Sequence, residues 1–495
     1  MRVAIIGGGV AGLVTAKVFK QDGFDVTVFE KEPAVGGVWA ASRAYPGLST
    51  NNPRETYVFS DFPHDDETGD FPTAAEVRAY LEAYVDHFGL QPHLRLDTKV
   101  RAVARVESGR HGEHGGFVLT VQALRDGAEP ETVTCDFLVV CNGVHSEPFM
   151  PQFEGIERFA GPVLHSSETP ETEALRDRRV LVVGAGKSAL DCANFAGQVA
   201  AKCTLAFRRP YWMLPRYFFG RTRVDRQVFN RVTELLTFPA YHTLPRGEAL
   251  LRRAGMLFLP LLWLYRRLQC RLIARQARIP PALVPDTLIH RTIYHQGIGS
   301  EVYDGIRAGR VTPRRAGIDR IIDGETIRLD TGETVAADVI ICGTGWRQNI
   351  GFLEPELRQA VAPDGRFRLY RHVLPPAEPR MGLIGYASSG NTPLTSEVAA
   401  HWLSAAYSGA LALPEREVME HSVDQVLAWT ARVFPEQPEG HFVGGYIAHY
   451  VDWLLHDMGL PSRRAKGFGE EYLGPLWAER YSGLADERRG ALRSA

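Results

Sequence analysis

Two glycine-rich stretches of the chain have the spacing of turns that bind dinucleotide phosphates. In the first, RVAIIGGGVAGLVTA (2–16), Gly7, Gly9 and Gly12 stand between a short apolar strand and a helix. Gly7 allows a tight turn, Gly9 lets a pyrophosphate approach the backbone, and Gly12 lets the helix pack against the strand. The phosphate then meets unpaired N–H groups at the positive end of the helix dipole. This stretch predicts a dinucleotide site at the start of the chain.

An acid and a further glycine pair follow the first turn. The next strand, DVTVF, is followed directly by Glu30, whose carboxylate can accept hydrogen bonds from the ribose hydroxyls of an unphosphorylated adenosine. Gly36 and Gly37 permit another close backbone approach, and Trp39 can flank a flat ring. The pattern is similar to the second FAD-contacting segment of two-dinucleotide flavoproteins, so we expect FAD at the first site.

The second stretch, VLVVGAGKSALDCA (180–193), has the related GxGxxA spacing, with Ala189 in the third position. The strand that follows, CTLAFRR, ends in two arginines where the first motif has an acid. An acid would repel a 2′-phosphate, whereas an arginine fork binds it. The second site is therefore expected to take NADPH, and the residues expected to contact it are Gly184, Gly186, Lys187, Ser188, Arg208 and Arg209.

Composition and cysteine usage exclude several other functions. The net charge of −2 gives no field that would attract nucleic acid. The six cysteines form neither a CxxC pair nor a metal-ligand spacing, which predicts no metal site and no dithiol relay beside the flavin. The first strand begins at Arg2 and no run of about 18 apolar residues is present, so we expect a cytoplasmic protein without a signal peptide.

Five segments resemble the flavin-containing monooxygenase family, and together they cover about residues 1–215 and 300–410. In FAGPVLHSSET (159–169), Phe159, Gly161 and His165 match the family fingerprint, while Thr169 stands where the family has an aromatic residue. The other segments are YPGLSTNNPRETYVFSDFP (45–63), ADVIICGTGW (337–346), LYRHVLPP (369–376) and LIGYASSGNTPLTSEVAAHWLS (383–404).

The resemblance implies that NADPH reduces FAD and that a C4a-(hydro)peroxyflavin then inserts one atom of O2 into a small organic substrate. Asn51 matches the asparagine that lies beside the flavin in the family, and an amide can both donate and accept hydrogen bonds there. An Asx-turn is the alternative role for this residue, since STNNP is a good turn sequence. The family's remaining cofactor contacts carry over to Thr50, Val100, Thr344, Gly345, Asn391 and Thr392.

The terminus of one helix could add to the flavin site. We expect Thr392 to be its N-cap, with Pro393 in the first helical position, so that the helix dipole stabilises negative charge on the reduced ring. The fingerprint residue His165 is interpreted as structural or NADP-positioning rather than as a base.

The reaction type stays open at this point. N- or S-oxygenation or hydroxylation is the leading interpretation, Baeyer–Villiger oxygenation of a ketone is the second, and an NADPH oxidase or flavin reductase is the third. Baeyer–Villiger relatives carry an aromatic residue, often Trp, where this chain has Thr169, which disfavours ketone chemistry.

These motifs predict an α/β fold with two Rossmann-like domains, the NADPH domain inserted in the FAD domain. We assign residues 1–170 and 316–420 to the FAD domain, 171–315 to the NADPH domain and 421–495 to a helical extension with a frayed C-terminus. A helical insertion is expected at about 216–290.

The insertion contains AGMLFLPLLWLYRRLQCRLIARQAR (254–278), in which eleven near-continuous apolar residues, 255–265, meet an arginine-rich flank. Pro260 within the apolar run argues against one straight helix. Three roles are compatible with this composition. The segment could be a buried hairpin covering the NADPH domain, or a peripheral contact with an anionic membrane through residues 252–278. It could also be a substrate-entry lid or the contact of a homodimer. If the membrane role is right, we expect a lipophilic substrate that arrives from the bilayer.

Overall fold

The computed structural model describes residues 1–106, 115–169, 171–228, 230–257, 259–289, 297–299, 301–435 and 439–494. Within them the helices are, in chain order, α1 Val10–Gln21, α2 Ala74–His87, α3 Lys187–Val199, α4 Asp225–Val228, α5 Arg231–Thr237, α6 Arg246–Leu257, α7 Leu259–Gln276, α8 Glu301–Arg307, α9 Pro355–Val361, α10 Thr392–Tyr407, α11 Arg416–Val433, α12 Ile447–Asp457, α13 Phe468–Leu473 and α14 Leu484–Ser494.

The strands of the described residues are, in chain order, β1 Arg2–Ile6, β2 Asp25–Phe29, β3 Leu94–Arg95, β4 Thr98–Arg105, β5 Phe117–Ala123, β6 Glu131–Cys135, β7 Phe137–Val140, β8 Glu147–Pro148, β9 Val163–His165, β10 Arg179–Val183, β11 Lys202–Ala206, β12 Met213–Leu214, β13 Tyr217–Phe218, β14 Thr222–Arg223, β15 Gly297–Ile298, β16 Val311–Arg314, β17 Ile318–Ile321, β18 Thr326–Leu329, β19 Thr334–Ala336, β20 Val339–Cys342, β21 Trp346–Arg347, β22 Met381–Leu383, β23 Ser388–Ser389 and β24 Phe442–Gly444.

The first parallel sheet has the order β22-β7-β1-β2-β3 and is covered on both faces. Successive residues of a strand point to opposite faces, so Val3 and Ile5 pack into one core cluster and Ala4 and Ile6 into another. Burial on both faces explains why β1 reads as a continuous apolar run rather than an alternating one. The helices α1 and α10 pack against each other on one of these faces.

The second parallel sheet has the order β16-β11-β10-β20-β9 and repeats this plan. Val180 and Val182 of β10 face one cluster and Leu181 faces another. Two parallel sheets, each with a glycine turn after its central strand, confirm the predicted fold class.

The predicted domain limits differ from this sheet membership. β9 lies before residue 171 and β20 lies after residue 315, yet both pair with strands of the second sheet. The limits at 170/171 and 315/316 are therefore wrong, because the outer strands of a parallel sheet come from both ends of its sequence segment. The chain leaves the first sheet through β8 and returns through β21, and these two strands pair with each other.

The insertion at 216–290 contains the β13–β14 hairpin and the helices α4 to α7. The described parts of its last two helices are α6, Arg246–Leu257, and α7, Leu259–Gln276, and Pro260 lies in the second of them. That Pro260 prevents one straight helix stays a prediction, because residue 258 lies outside the described residues.

A buried charge cluster fastens the insertion to the C-terminal helices. Arg231 of α5 donates to Asp452 at 2.8 Å through Nη2 and to Glu471 at 2.5 Å through Nε. His449 of α12 lies between two carboxylates of the insertion, with Nδ1 2.9 Å from Glu234 and Nε2 3.4 Å from Glu248. Isolated buried charges are costly, so each member of the cluster depends on its partners.

The end of the chain belongs to this packed region. α14 extends to Ser494, and its Arg488 is buried and pairs with Asp22 at the end of α1. The expected frayed C-terminus is therefore wrong for residues 485–494, because a long-range ion pair holds this segment in the fold.

His449 should make stability depend on pH. Burial lowers the pKa of His449, but the hydrogen bonds and charges of Glu234 and Glu248 outweigh it and raise the pKa to about 9. The folded-state pKa lies above the unfolded value of about 6.5, so this stabilisation is complete below that value and is lost as the pH rises through about 9. We expect the urea midpoint to fall over this interval, with a loss of up to about 3 kcal/mol in the free energy of unfolding.

The matched variant is His449→Gln, which removes the titrating ring and keeps a polar side chain. Its urea midpoint should be lower than that of the wild type at neutral pH and nearly constant between about pH 6.5 and 9.5. An equal slope in both proteins would contradict the role given to His449.

Candidate active site

The first glycine turn is built by close main-chain packing. Gly7 has φ +112°, and a Cβ there would lie 2.6 Å from the carbonyl oxygen of Cys141. A Cβ on Gly12 would lie 1.8 Å from the carbonyl oxygen of Gly7. Gly9 is the N-cap of α1 and has no side chain to occupy the first N–H groups of the helix. The turn therefore presents these groups to an anion, as the sequence predicts.

Glu30 lies against this turn. Its Oε2 accepts a hydrogen bond from the N–H of Gly8 at 2.5 Å, and its Oε1 accepts one from Glu32 at 2.9 Å. Burial raises the pKa of Glu30, and the two backbone hydrogen bonds oppose this effect. The carboxylate is thus fixed beside the phosphate-binding turn, where its remaining lone pairs can accept hydroxyl groups.

The Gly36–Gly37 turn packs directly on the first one. The N–H of Gly36 donates to the carbonyl of Gly8 at 3.1 Å, and a Cβ on Gly37 would lie 3.2 Å from the Cα of Gly9. Trp39 is buried, and its Nε1 donates to the hydroxyl of Tyr57 at 2.8 Å. Its indole is edge-on to the Tyr57 ring, so the orientation of Trp39 is set by protein contacts.

Val100 packs in the core cluster that contains Ala4 and Ile6 of β1. It belongs to β4, where the pairing with β5 shifts register between Val100 and Ala102. The N–H of Thr98, two residues earlier, donates to the carbonyl of Glu30 at 2.8 Å. The irregular part of β4 is therefore adjacent to the acid that follows β2.

The second glycine turn repeats the packing of the first. Gly184 has φ +128°, and a Cβ there would lie 2.4 Å from the carbonyl oxygen of Gly343. Gly186 is the N-cap of α3 and has open space around it, so a ligand can approach its backbone. Ser188 lies in the first turn of α3. Arg208 and Arg209 are exposed beyond β11, one and two residues past Phe207, which corresponds to Glu30 after β2.

Thr344 and Gly345 follow β20 and connect the two domains. The hydroxyl of Thr344 donates to the carbonyl of Phe149 at 2.6 Å. Gly345 has φ +90°, and its carbonyl oxygen lies 3.0 Å from Nε2 of the buried His165. These contacts agree with a structural role for His165, whose pKa is lowered by burial.

Asn51 meets a segment from the other domain. This segment is β15, Gly297–Ile298, which pairs with β12. The N–H groups of Gly297 and Gly299 donate the hydrogen bonds of this pairing. The N–H of Ile298 points the other way and donates to Oδ1 of Asn51 at 3.2 Å. Thr50, the residue before Asn51, is buried and donates from its hydroxyl to the carbonyl of Asn52 at 2.7 Å, which forms the local turn.

Lys187 takes part in a second contact between the domains. Its ammonium group pairs with Asp191 one turn later in α3. Asp191 also accepts a hydrogen bond from the hydroxyl of Tyr45 at 3.0 Å, and Tyr45 belongs to the segment that carries Asn51. A Cβ on Gly299 would lie 3.4 Å from Cε of Lys187, so the two contacts are neighbours. The structure thus brings Lys187 to the domain junction, with its charge on Asp191.

Asn391 and Thr392 begin α10, with a shift of one position from the expectation. Asn391 is the N-cap and Thr392 is the first helical residue, so the prediction that Thr392 is the N-cap is wrong. Asn391 is buried and donates to the carbonyl of Leu476 at 3.3 Å, but its Oδ1 has no hydrogen-bond partner among the described residues. A bound cofactor could donate a hydrogen bond to this buried oxygen and accept hydrogen bonds from the first N–H groups of α10.

Glu397 connects α10 to the loop that follows Asn51. Its carboxylate accepts hydrogen bonds at 2.8 Å from both the N–H and the hydroxyl of Ser60. Complete burial raises the pKa of Glu397 to about 7. The side chain thus ties the helix to the candidate site instead of facing the helix terminus.

Sequence reasoning missed three residues of the junction, namely Tyr45, Asp191 and Ile298. The four-residue spacing of Lys187 and Asp191 on a helix is a signal that could have been used. Neither the backbone donor Ile298 nor its 247-residue separation from Asn51 leaves any pattern in the sequence.

The chain matches the family model described as "Flavin-binding monooxygenase-like" over residues 1–245. It belongs to this family. The curated protein "Probable flavin-containing monooxygenase 1" of Arabidopsis thaliana is 28% identical to this family member, with 97% of this chain and 96% of the relative covered. The predicted family and the predicted enzyme class, a flavin-containing monooxygenase, are thereby confirmed.

Solved structures support the fold of this flavin-binding monooxygenase-like protein. S-allyl-L-cysteine S-oxygenase from Allium sativum superposes with a TM-score of 0.61 at 22% identity, covering 100% of this chain and 99% of that one. Cyclohexanone-bound cyclohexanone monooxygenase superposes with a TM-score of 0.68 at 18% identity, covering 92% and 96%. Both likenesses concern the fold, since the sequences have diverged widely.

The two N-cap glycines of this family member offer a reciprocal test. We expect Gly9→Val to give protein without bound flavin, because the side chain fills the phosphate-binding turn beside Gly37. Gly186→Val should keep the flavin and raise the KM for NADPH by about tenfold or more, since a lost hydrogen bond to a charged group costs about 1.5–3 kcal/mol.

The measurements are the flavin absorbance of the purified proteins and the NADPH dependence of flavin reduction. Open space around Gly186 makes its variant compatible with folding. Flavin retained in Gly9→Val, or an unchanged KM in Gly186→Val, would contradict the corresponding assignment.

Proposed function

We propose that this protein is an NADPH- and FAD-dependent monooxygenase that transfers one atom of O2 to a soft nitrogen or sulfur atom of a small lipophilic substrate. The second oxygen atom leaves as water, with both electrons supplied by NADPH. The observation that carries the proposal is that Asn51 accepts a hydrogen bond from Ile298, whose neighbours Gly297 and Gly299 lie against Lys187 at the second glycine turn.

The residues of the first turn fit FAD. Gly7, Gly9 and Gly12 would hold its pyrophosphate, Glu30 its ribose, and Asn391 with the start of α10 its ring system. When bound, FAD supplies the hydride acceptor and activates O2. The start of α10 stabilises negative charge at this place, because its first N–H groups lack partners within the helix.

The residues of the second turn fit NADPH. Gly184 and Gly186 would hold the pyrophosphate, and Arg208 with Arg209 the 2′-phosphate. We assign Lys187 a supporting role: its pair with Asp191, and the bond from Tyr45 to Asp191, hold α3 against the segment that carries Asn51. These two contacts would keep the nicotinamide end of the cofactor close to the flavin.

Asn51 has a defined orientation in this arrangement. Because Oδ1 accepts the N–H of Ile298, Nδ2 remains to donate a hydrogen bond into the junction. An amide donates without giving up its proton, so Asn51 can stabilise a bound oxygen species without protonating it.

Two further observations favour oxygenation of nitrogen or sulfur. All six cysteines are buried and unpaired, so electrons from NADPH have no dithiol to reduce. Thr169 is buried, with its hydroxyl near the carbonyl of His165 and the thiol of Cys192, where Baeyer–Villiger relatives carry an aromatic residue.

The function is tested by mixing NADPH-reduced protein with oxygenated buffer, then with a panel of sulfides, tertiary amines and ketones under isotopically labelled O2. We expect the oxidised flavin spectrum to return only after seconds without substrate, and one labelled oxygen atom in a sulfoxide or N-oxide product. Immediate reoxidation with one hydrogen peroxide per NADPH in every case would favour an oxidase or reductase. Labelled ester from ketones alone would favour Baeyer–Villiger chemistry.

The role of Asn51 has its own test. Asn51→Asp keeps the acceptor for Ile298 but loses the donor, and Asn51→Ala loses both. We expect both variants to be reduced by NADPH at the wild-type rate and to release hydrogen peroxide in place of product. The measurement is the ratio of hydrogen peroxide to NADPH consumed.

The adjacent residue is the matched control. Asn52→Ala should retain wild-type coupling, because the contact that involves Asn52 is made by its main-chain carbonyl. Normal coupling in Asn51→Asp would remove the donor role, and uncoupling in Asn52→Ala would shift it to the neighbouring residue.

A further inference from the structure

The exposed apolar side chains of the described residues are concentrated in the insertion. More than half of the exposed large hydrophobic residues lie between Tyr217 and Leu272. Six of them belong to α7: Leu261, Trp263, Leu264, Tyr265, Leu268 and Leu272. Scattered exposed apolar residues need no explanation, but a contiguous group marks an interaction surface.

Five of these residues form one stripe along α7. Positions 261, 264, 265, 268 and 272 follow the i, i+3, i+4, i+7, i+11 spacing of one helix face. The opposite face carries Cys270, Ile273 and Ala277, which are buried in the core of the second domain. The helix is therefore docked through one apolar face and presents a second apolar face to solvent.

A row of arginines runs beside the exposed stripe. Arg267, Arg271 and Arg275 are exposed and spaced by four residues, and the Arg267 guanidinium stacks on the Trp263 ring at 4.0 Å. The only acid in the sequence of α6 and α7 is Glu248, which is buried and paired with Arg463. The solvent-facing charge of these two helices is thus entirely positive.

The tip of the β13–β14 hairpin extends this surface. Phe219 is 65% exposed, and its N–H donates to Oε1 of Gln276 at the end of α7, with a distance of 3.1 Å. Its φ of +54° is in the left-handed region, which is strained for a large side chain. The contact with α7 holds an aromatic ring outward in line with the apolar stripe.

We propose that the α7 stripe and Phe219 bind the surface of an anionic lipid bilayer, with the arginine row at the phosphate headgroups. Basic helices with aromatic and leucine side chains on one face lie in the interface, and each arginine near an anionic surface contributes about 1 kcal/mol. No helix of the described residues is long and apolar enough to cross a membrane, so the contact is peripheral.

Charge complementarity favours the bilayer over a second copy of the chain. An interface with two-fold symmetry would place the same face on both subunits, so the arginine rows would meet each other without exposed acids on α6 or α7 to pair with. Phosphate headgroups supply the missing negative charge.

The test is flotation of the full-length holoenzyme with vesicles of phosphatidylcholine, alone or mixed with phosphatidylserine, at low and high salt. We expect co-flotation only with the mixed vesicles and weaker binding at high salt. The double variant L264D/L268D should bind the mixed vesicles at least about tenfold more weakly than the wild type. Its NADPH oxidation should be unchanged, because both side chains face solvent.

Val418→Asp is the matched control, since Val418 is 57% exposed on α11, outside this surface. It should float like the wild type. The proposal is overturned if the wild type stays unbound with the mixed vesicles at low salt, or if Val418→Asp loses binding equally. It is also overturned if light scattering shows a dimer that L264D/L268D abolishes, since a second copy would then be the occupant.

Discussion

At each glycine turn a main-chain carbonyl oxygen occupies the space that a Cβ atom would need, and both cofactor sites depend on this packing. The carbonyls of Cys141 and Gly7 exclude side chains at Gly7 and Gly12, and the carbonyl of Gly343 excludes one at Gly184. As a result each helix begins directly at the edge of its sheet, where its first N–H groups face a ligand. Because the two turns share this geometry, the acid after β2 and the arginines after β11 can be compared as contacts of two different nucleotides.

The second constraint acts far from the cofactors. The insertion and the C-terminal helices share buried charges that cannot be separated without leaving ions unpaired in the interior. Arg231, Glu234 and Glu248 come from one segment, and His449, Asp452 and Glu471 from the other. This cluster allows the insertion to keep one apolar face in the core while the other faces solvent.

The parts that follow from local pattern were predictable from the sequence. Glycine spacing located both turns, and the positions of Glu30 and Arg208 followed from strand ends. The parts that depend on distant partners were not. β20 pairs with β10 although the described strands β11 to β19 lie between them in the chain, since neighbours in a parallel sheet need not be neighbours in the sequence. Ile298 reaches Asn51, and Arg488 orders α14 through Asp22, by contacts that leave no local signal.

The pairing of β8 with β21 has a mechanical consequence. The two crossings between the domains are hydrogen-bonded to each other, with Trp346 opposite Pro148 and Arg347 opposite Glu147. A two-stranded ribbon bends more readily than it shears, because sliding would break its hydrogen bonds. The ribbon therefore resists sliding of one crossing past the other and keeps the two crossings in a fixed register.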